Sequence, residues 1–327
     1  MSDFSQIQFF SHAVKFNNNF LKGVQSVAVS QNLNGSTLSN VGSISNRKLF
    51  RPISDVTVTL NKVVGNNGTA PPLVLTANDD ILIQTLGINT WETHQSYDIE
   101  VCISKSYNPN VKFSSSNDTS LRFDNFLLSN LSYEFNADGQ FVQETANFIG
   151  HSLLKDSGFS SNQTSTDVGD VARRVDFNKN LCTFPTELAS LFINGRSVLL
   201  SVSVDINIGW QFLTNFGFRN DIKHKYMSLP MPITTRFSIL DLGFDQSDTN
   251  ADIMDTVTGN MNDVLFSDDF NPNREIVINA AGYEWNMGNK NYLVSRSRNG
   301  GEAGSQSYTI YEYTYQNDES YLKIQSL

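Results

Sequence analysis

Apolar and polar residues alternate along several stretches of the chain. A period of two places the two sets on opposite faces of an extended strand. From Ser54 to Val64, Val56, Val58 and Leu60 alternate with Asp55, Thr57 and Thr59. Between Pro232 and Leu240, Ile233, Phe237 and Ile239 share one face. Leu131, Tyr133 and Phe135 alternate up to Asn136-Ala137-Asp138-Gly139, a turn signal, and Phe141 restarts the chain. Near the end Thr309, Tyr311, Tyr313 and Tyr315 line one face, while Tyr308 and Ile310 take the other. β-Branched and aromatic residues at this period are what a half-buried pleated surface selects. Helical signals are few: Pro185 to Phe192, where Pro185 suits a first turn, and Asn250 to Val257, with acidic starts. The pattern predicts a mainly β fold with short helices.

The pattern also repeats. SVAVSQNLNGSTLSNVG from Ser26 and SVSVDINIGWQFLTNFG from Ser201 share seven of 17 positions: Ser26/Ser201, Val27/Val202, Val29/Val204, Asn32/Asn207, Leu38/Leu213, Asn40/Asn215 and Gly42/Gly217. Such a long period suggests a duplicated domain rather than a solenoid unit. RKLFRP (Arg47 to Pro52) follows the first copy, and HKYMSLP (His224 to Pro230) the second. Aligning those prolines requires three extra residues in the second copy. Each copy therefore reads as a strand, a long polar hairpin tip, a basic patch, a proline and a returning strand. Each half then carries a further strand pair around a glycine turn, at Asp138-Gly139 and Gly300-Gly301. KDSGFSSNQTSTDVGD (Lys155 to Asp170) has the composition of a linker.

With 327 residues the chain can hold two ordinary cores. Charged residues make up only 17% of it, so its polarity rests on Asn, Ser, Thr and Gln. Uncharged polar side chains suit surfaces that become covered, where unpaired charges are costly. The net charge is −10, from 23 basic and 33 acidic residues. That balance argues against a module that grips nucleic acid, which would be basic. A surface that DNA slides past is better acidic. The opening MSDFSQIQFFSHAV has no basic region before its apolar residues, so no signal peptide is expected. No apolar run reaches the length of a membrane span.

Catalytic patterns are missing. His12, His94, His151 and His224 make no metal or triad spacing and read as structural or surface histidines. Cys102 and Cys182 form no disulfide framework or zinc pattern. There is no Gly-x-Ser-x-Gly, phosphate-cradling glycine loop or His-Glu-x-x-His. Asp241 to Asp269 holds eight acids and no Lys or Arg. It lacks EF-hand spacing and a closing bidentate Glu. Its Asp245, Asp248, Asp252 and Asp255 form a candidate acidic surface facing a DNA path, against the plainer reading of a solvated loop and helix start. Trp91, Trp210 and Trp285 leave open a carbohydrate-stacking role; Trp210 stands beside Phe212 at the second hairpin tip, where the first copy has Gly35.

The chain resembles the tail tube proteins of tailed bacteriophages, especially the long versions of large phages. The resemblance is carried in the second half by FPTEL (Phe184 to Leu188), the segment from Ser201, YMSLPMPI (Tyr226 to Ile233), GNKNYLVSRSRNGGEAG (Gly288 to Gly304) and YTYQND (Tyr313 to Asp318). In the first half LLSNLSYEFNADGQFVQETANFIG (Leu127 to Gly150) is similar to the tube proteins' closing hairpin.

The resemblance implies two tandem tail-tube-like β-sandwich or barrel domains, at residues 1–160 and 161–327. Copies of the chain would form rings of three or six, stacked into a tube whose lumen passes DNA without specific binding. Candidate ring-stacking or partner contacts are Leu33, Leu38, Arg47, Lys48, Phe50, Trp210, Phe212, Phe216, Lys225 and Tyr226. Sheath, tape-measure, baseplate and terminator proteins are the other implied partners. The expected location is the virion tail, assembled in the host cytoplasm, with no cofactor, metal, membrane or enzymatic activity. A baseplate hub or tail-completion protein, and a carbohydrate-binding β-sandwich adhesin, remain as alternatives.

Overall fold

The computed structural model describes residues 11–17, 19–32, 36–39, 47–50, 55–65, 70–73, 96–104, 118–136, 142–150, 154–156, 182–185, 188, 197–214, 222–227, 231–241, 274–303, 306–317, 319 and 321–327. They form β1 (Ser11–Phe16), β2 (Asn19–Phe20), β3 (Val24–Asn32), β4 (Ser36–Ser39), β5 (Arg47–Phe50), β6 (Asp55–Val64), β7 (Tyr97–Ser104), β8 (Asp118–Asn136), β9 (Val142–Gly150) and β10 (Leu154–Asp156). These are followed by β11 (Ser197–Asn207), β12 (Trp210–Thr214), β13 (Ile222–Met227), β14 (Ile233–Asp241), β15 (Val277–Ala280), β16 (Tyr283–Asn286), β17 (Asn291–Ala303), β18 (Gln306–Asn317) and β19 (Lys323–Ser326). The fold is mainly β, and every named pairing is antiparallel. Helical backbone among the described residues occurs at Leu73 and Leu188. The Leu188 N–H donates to the Pro185 carbonyl at 2.9 Å, one turn within the expected Pro185 to Phe192 helix. The expected helix at Asn250 to Val257 lies outside the described residues, as does the 160/161 boundary.

Eight strands run side by side in the order β3-β6-β9-β8-β11-β14-β18-β17. The first four come from the first half of the sequence and the last four from the second. The two sets meet where β8 pairs with β11, from Ser201 opposite Asn136 to Asn207 opposite Asn130. One sheet therefore continues across the sequence halves.

The registers repeat with the order. Val27 pairs with Leu60 in β3–β6, and Val202 pairs with Phe237 in β11–β14. Leu60 pairs with Ala146 in β6–β9, and Phe237 with Tyr313 in β14–β18. Even the irregularity recurs. In β8 the register against β9 shifts between Leu128 and Asn130; in β17, against β18, it shifts between Leu293 and Ser295. Phe148 and Tyr315 stand opposite the residues that precede the two shifts. A bulge bends and twists its strand, so a repeated bulge gives the two units a common curvature.

Two details correct the sequence reading. The offset is 175 positions from Val27 to Val202 but 177 from Leu60 to Phe237, so the second arm carries two extra residues, not three. Gly300 and Gly301 do not form a turn: they lie within β17 opposite Thr309 and Tyr308, and the strand runs to Ala303.

The core lies on one face of the eight-stranded sheet. The alternation predicted for β6, β14 and β18 holds: Val56, Val58, Leu60, Ile233, Phe237, Ile239, Tyr311, Tyr313 and Tyr315 are all buried. The first unit is covered by β1 and β7, where Phe16 and Tyr97 stack at 4.9 Å and both approach Phe148 of β9. Below the β8–β11 joint, Trp285 of β16 meets Tyr133 and Phe135 of β8 edge-on, at 5.6 and 4.9 Å. Such aromatic pairs add about 0.5–1.5 kcal/mol each beyond the area they bury. The N-terminal part of β8 lies between β7 and β10, and β16 lies between β15 and β19, so the flanking strands are also arranged alike in the two units.

Candidate assembly surfaces

The second face of the eight-stranded sheet is polar. Because side chains alternate, the partners of the buried positions point the other way. Thr57, Thr59 and Asn61 of β6 do so, as do Thr145 and Asn147 of β9, Ser201 and Ser203 of β11, and Thr314 and Gln316 of β18; all are half-buried. In the first unit the hydroxyls and amides bond one another across the strands. Asn61 Nδ2 donates to Ser26 Oγ at 2.7 Å, and Thr145 Oγ1 donates to Asn61 Oδ1 at 3.0 Å. Thr59 Oγ1 donates to Asn147 Oδ1 at 2.7 Å. These bonds satisfy the side chains laterally and hold them against the sheet.

Charge on this face is sparse. Among the described side chains it comprises Asp55, Glu134, Asp205 and Glu312 against Arg236. Arg236 Nη1 donates to Asp205 Oδ2 at 3.0 Å, beside the joint. Partial burial raises the Asp205 pKa, opposed by Arg236 and reinforced by Glu134. The four candidate acids at Asp245, Asp248, Asp252 and Asp255 lie outside the described residues. Sequence reasoning missed this polar face as a site, although the hydroxyl and amide residues opposite each apolar stripe are its signature.

The two repeated arms end in separate two-stranded tips. β4 pairs with β5, placing Leu38 opposite Lys48, Ser39 opposite Arg47 and Ser36 opposite Phe50. β12 pairs with β13, placing Trp210 opposite Met227, Gln211 opposite Tyr226 and Phe212 opposite Lys225. Eight of the ten candidate contact residues therefore occupy the two tips, four in each; Leu33 and Phe216 lie outside the described residues. The tips do not match in register: Leu38 faces Lys48, whereas Lys225, 177 positions beyond Lys48, faces Phe212, and only the second tip has a register shift, between Leu213 and Thr214.

The outer strands β3 and β17 form the two edges of the eight-stranded order. β3 carries neither charge nor proline from Val24 to Asn32. Its Ser26, Ala28, Val29, Ser30 and Gln31 are exposed. On β17 Val294, Ser295, Ser297 and Asn299 are exposed. Arg296 folds back over the Tyr311 and Tyr313 rings at 5.9 and 5.2 Å, a cation–π arrangement. An uncapped edge presents unpaired backbone donors and acceptors, a template for another strand.

One buried polar cluster belongs to the first unit alone. Glu144 of β9 accepts bonds from the Leu73 N–H at 2.9 and 3.0 Å and from the Tyr133 hydroxyl at 2.8 Å. Lys62 stands 3.4 Å from it and also donates to the Pro71 carbonyl. Lys62 and Glu144 are 3% and 1% exposed. Burial lowers the Lys62 pKa against the opposing pull of Glu144. Burial, then Glu144, raises the Tyr133 pKa well above its ordinary value. The corresponding paired residues of the second unit are Ile239 and Tyr311, with Arg298 facing Tyr311. The cluster ties residues 71–73 to β9, a structural task.

The remaining sequence candidates are placed as follows. Trp285 is fully buried, so it offers no sugar-stacking face, and Trp91 lies outside the described residues. Cys102 is buried, and burial pushes the Cys182 thiol up to about 11 against the opposing bond from the Asn279 backbone. Among the described residues no group of three or more His, Cys, Asp or Glu is placed to hold a metal ion. No helix among them is long and apolar enough to cross a membrane.

No protein-family model matches the chain, and no curated protein matches it. Among solved structures it is similar to a chain of the anti-feeding prophage baseplate, determined by cryo-electron microscopy with sixfold symmetry imposed. The two are 16% identical, the match covers 48% of this chain and 97% of that one, and the TM-score is 0.31. A likeness at that level assigns neither fold nor function.

Proposed function

We propose that the chain is the structural subunit of a phage tail tube, a duplicated unit that builds rings around a lumen through which the genome leaves. The observation that carries this reading is the β8–β11 joint, where one four-stranded unit continues into another of the same strand order, registers and bulge. A protein that has joined two such units side by side already contains the contact from which a ring is made. The polar face supports the lumen side. Hydroxyls and amides bonded to one another, as in the first unit, have little to offer phosphates, and a weak acidic excess over the whole face repels them. The apolar face and its covering strands then form the tube wall.

Three copies would place 24 such strands around the hole. At about 4.8 Å per strand the backbone radius is roughly 18 Å without tilt, and about 24 Å at a tilt of ~40°. The tips, carrying Leu38 with Lys48 and Phe212 with Lys225, are the stacking contacts between rings. Such a subunit needs no reaction and no cofactor. Other tail proteins would meet the tube at its ends, around its outside and within its lumen.

Electron microscopy of the concentrated protein tests the assignment. Tubes of stacked rings with a central hole are expected. Particles that stop at one ring would indicate a hub instead, and a strict monomer across a range of salt would refute both.

A further inference from the structure

We infer that a strap latched into the first unit is coupled, through Tyr133, to the packing of Trp285 beneath the β8–β11 joint. The coupling lies within one chain and does not depend on what the chain assembles into.

Residues 70–73 form the strap, lying against the core of the first unit with Ala70 and Leu73 buried. The Gly65 N–H donates to the Ala70 carbonyl at 2.9 Å, which returns the strap to the end of β6. Its other hold is Glu144. The Leu73 N–H reaches both carboxylate oxygens, and Lys62 bridges that carboxylate and the Pro71 carbonyl. With the Tyr133 hydroxyl, three donors converge on one buried carboxylate. Removing any one of them leaves a polar group unsatisfied in the core, so the bonds favour being made together.

Tyr133 carries the state of this latch to the other half of the chain. On β8 it stands between Glu144 of β9 and Val204 of β11, at the joint itself. Its hydroxyl donates to Glu144 at 2.8 Å, while its ring meets Trp285 at 5.6 Å. Trp285 has no polar anchor of its own. It is fully buried, and among the described residues its Nε1 has no hydrogen-bond partner. Side-chain packing alone orients the indole, with Tyr133, Phe135 and Tyr283 set edge-on to it. A phenol deprived of Glu144 must turn toward another acceptor or stay unsatisfied. Release of the strap therefore moves the surface on which Trp285 rests. The second unit has no counterpart, because Ile239 and Tyr311 take the places of Lys62 and Glu144.

Such a coupling is reciprocal and can be read from either end. Fluorine NMR of the full chain labelled with fluorotryptophan reads Trp285, assigned through Trp285→Phe. Leu73→Pro removes the latching N–H, whereas Leu73→Ala keeps it and trims the side chain. The proline variant is expected to shift and broaden the Trp285 signal, and the alanine variant to shift it several-fold less. An unchanged signal in the proline variant, or equal shifts in the two, would overturn the coupling. Native-state hydrogen exchange reads the other end and leaves the strap sequence intact. Trp285→Phe is expected to speed exchange of the Leu73 amide about tenfold relative to the Leu21 amide, which donates to Val14 outside the latch. In a Tyr133→Phe background the ring remains but its bond to Glu144 is gone, so the same substitution should no longer affect Leu73. Equal acceleration of the two amides would show a general loss of stability, and an effect on Leu73 that survives without the hydroxyl would remove Tyr133 from the route. Either result would overturn the inference.

Discussion

Val29 and Val204 occupy the same place in two strands of the same register, and only Val204 is covered. The difference is the neighbour: β8 lies against β11, while the far side of β3 has no strand among the described residues. Val29→Lys is therefore expected to leave folding nearly unchanged, within about 0.5 kcal/mol, as for other exposed sites. It should abolish rings, because the new charge would be buried by the next chain. Sedimentation and thermal melting of the same sample separate the two effects. Loss of folding together with assembly would mean that Val29 has a role within the chain.

Gly150 ends β9 opposite Val56, and a Cβ there would lie 2.6 Å from the Phe126 ring. Phe126 is itself fully buried and packs edge-on against Phe123. Gly150→Ala should cost about 1–3 kcal/mol, the usual penalty for overpacking a core. Denaturant unfolding reads it, and an unchanged midpoint would show that the ring moves aside freely.

The strand framework was legible from alternation alone, because one face of each strand is buried and the period of two is enforced by the pleat. Val56, Val58 and Leu60 illustrate it. Arg296 shows where the pattern fails: it takes the place of Leu131 and covers tyrosine rings with its guanidinium, so its charge hides a position of the apolar face. Gly300-Gly301 failed because glycine composition marks both turns and strand interiors, and pairing with Thr309 and Tyr308 decided for the strand. The hairpin tips were placed correctly by the repeat. The β8–β11 joint and the polar face needed the structure, since sequence spacing does not say which strands become neighbours.

Glu144→Gln should destabilise the chain by about 3–5 kcal/mol, since it leaves the buried Lys62 ammonium without its counter-charge. Replacing both partners, as Lys62→Met/Glu144→Leu, should recover much of that loss. A double-mutant cycle measures the coupling, and additive effects would mean that the two groups act independently.

Tyr133 makes stability depend on alkaline pH. The folded chain keeps its phenol neutral well above the ordinary range, whereas the unfolded chain ionises it near about pH 10. The unfolded state therefore releases its proton first, and stability falls as pH rises through the unfolded value. Lys62 acts in the opposite sense, because its folded pKa is lowered and the folded chain sheds that proton sooner. Comparing the chain with Tyr133→Phe isolates the phenol. The variant should lose about 1 kcal/mol near neutral pH, from the hydrogen bond to Glu144, and decline less steeply above pH 10. Parallel curves would contradict the assignment.

Asn147 and Thr314 stand at equivalent places on the polar face, each following a repeated bulge on the facing strand. Asn147→Lys/Thr314→Lys adds two positive charges per chain to the face assigned to the lumen. Assembled particles of this variant should retain short DNA at low salt and release it as salt rises. The unmodified particles should retain little under the same conditions, and equal retention would place this face elsewhere.

The tips predict a separable defect. Phe212→Ala/Lys225→Ala removes a cross-strand pair from the second tip and leaves the eight-stranded sheet untouched. Rings should persist while their stacking weakens, seen as shorter tubes by light scattering and microscopy. Loss of the rings themselves would assign the tips to lateral contacts.

End-on image averaging of the assembled particles tests the central claim most directly. The account predicts a closed ring with an open centre and six similar densities contributed by three chains, successive densities joined alternately within and between chains. A particle with a filled centre, or an open chain of copies that never closes, would contradict it.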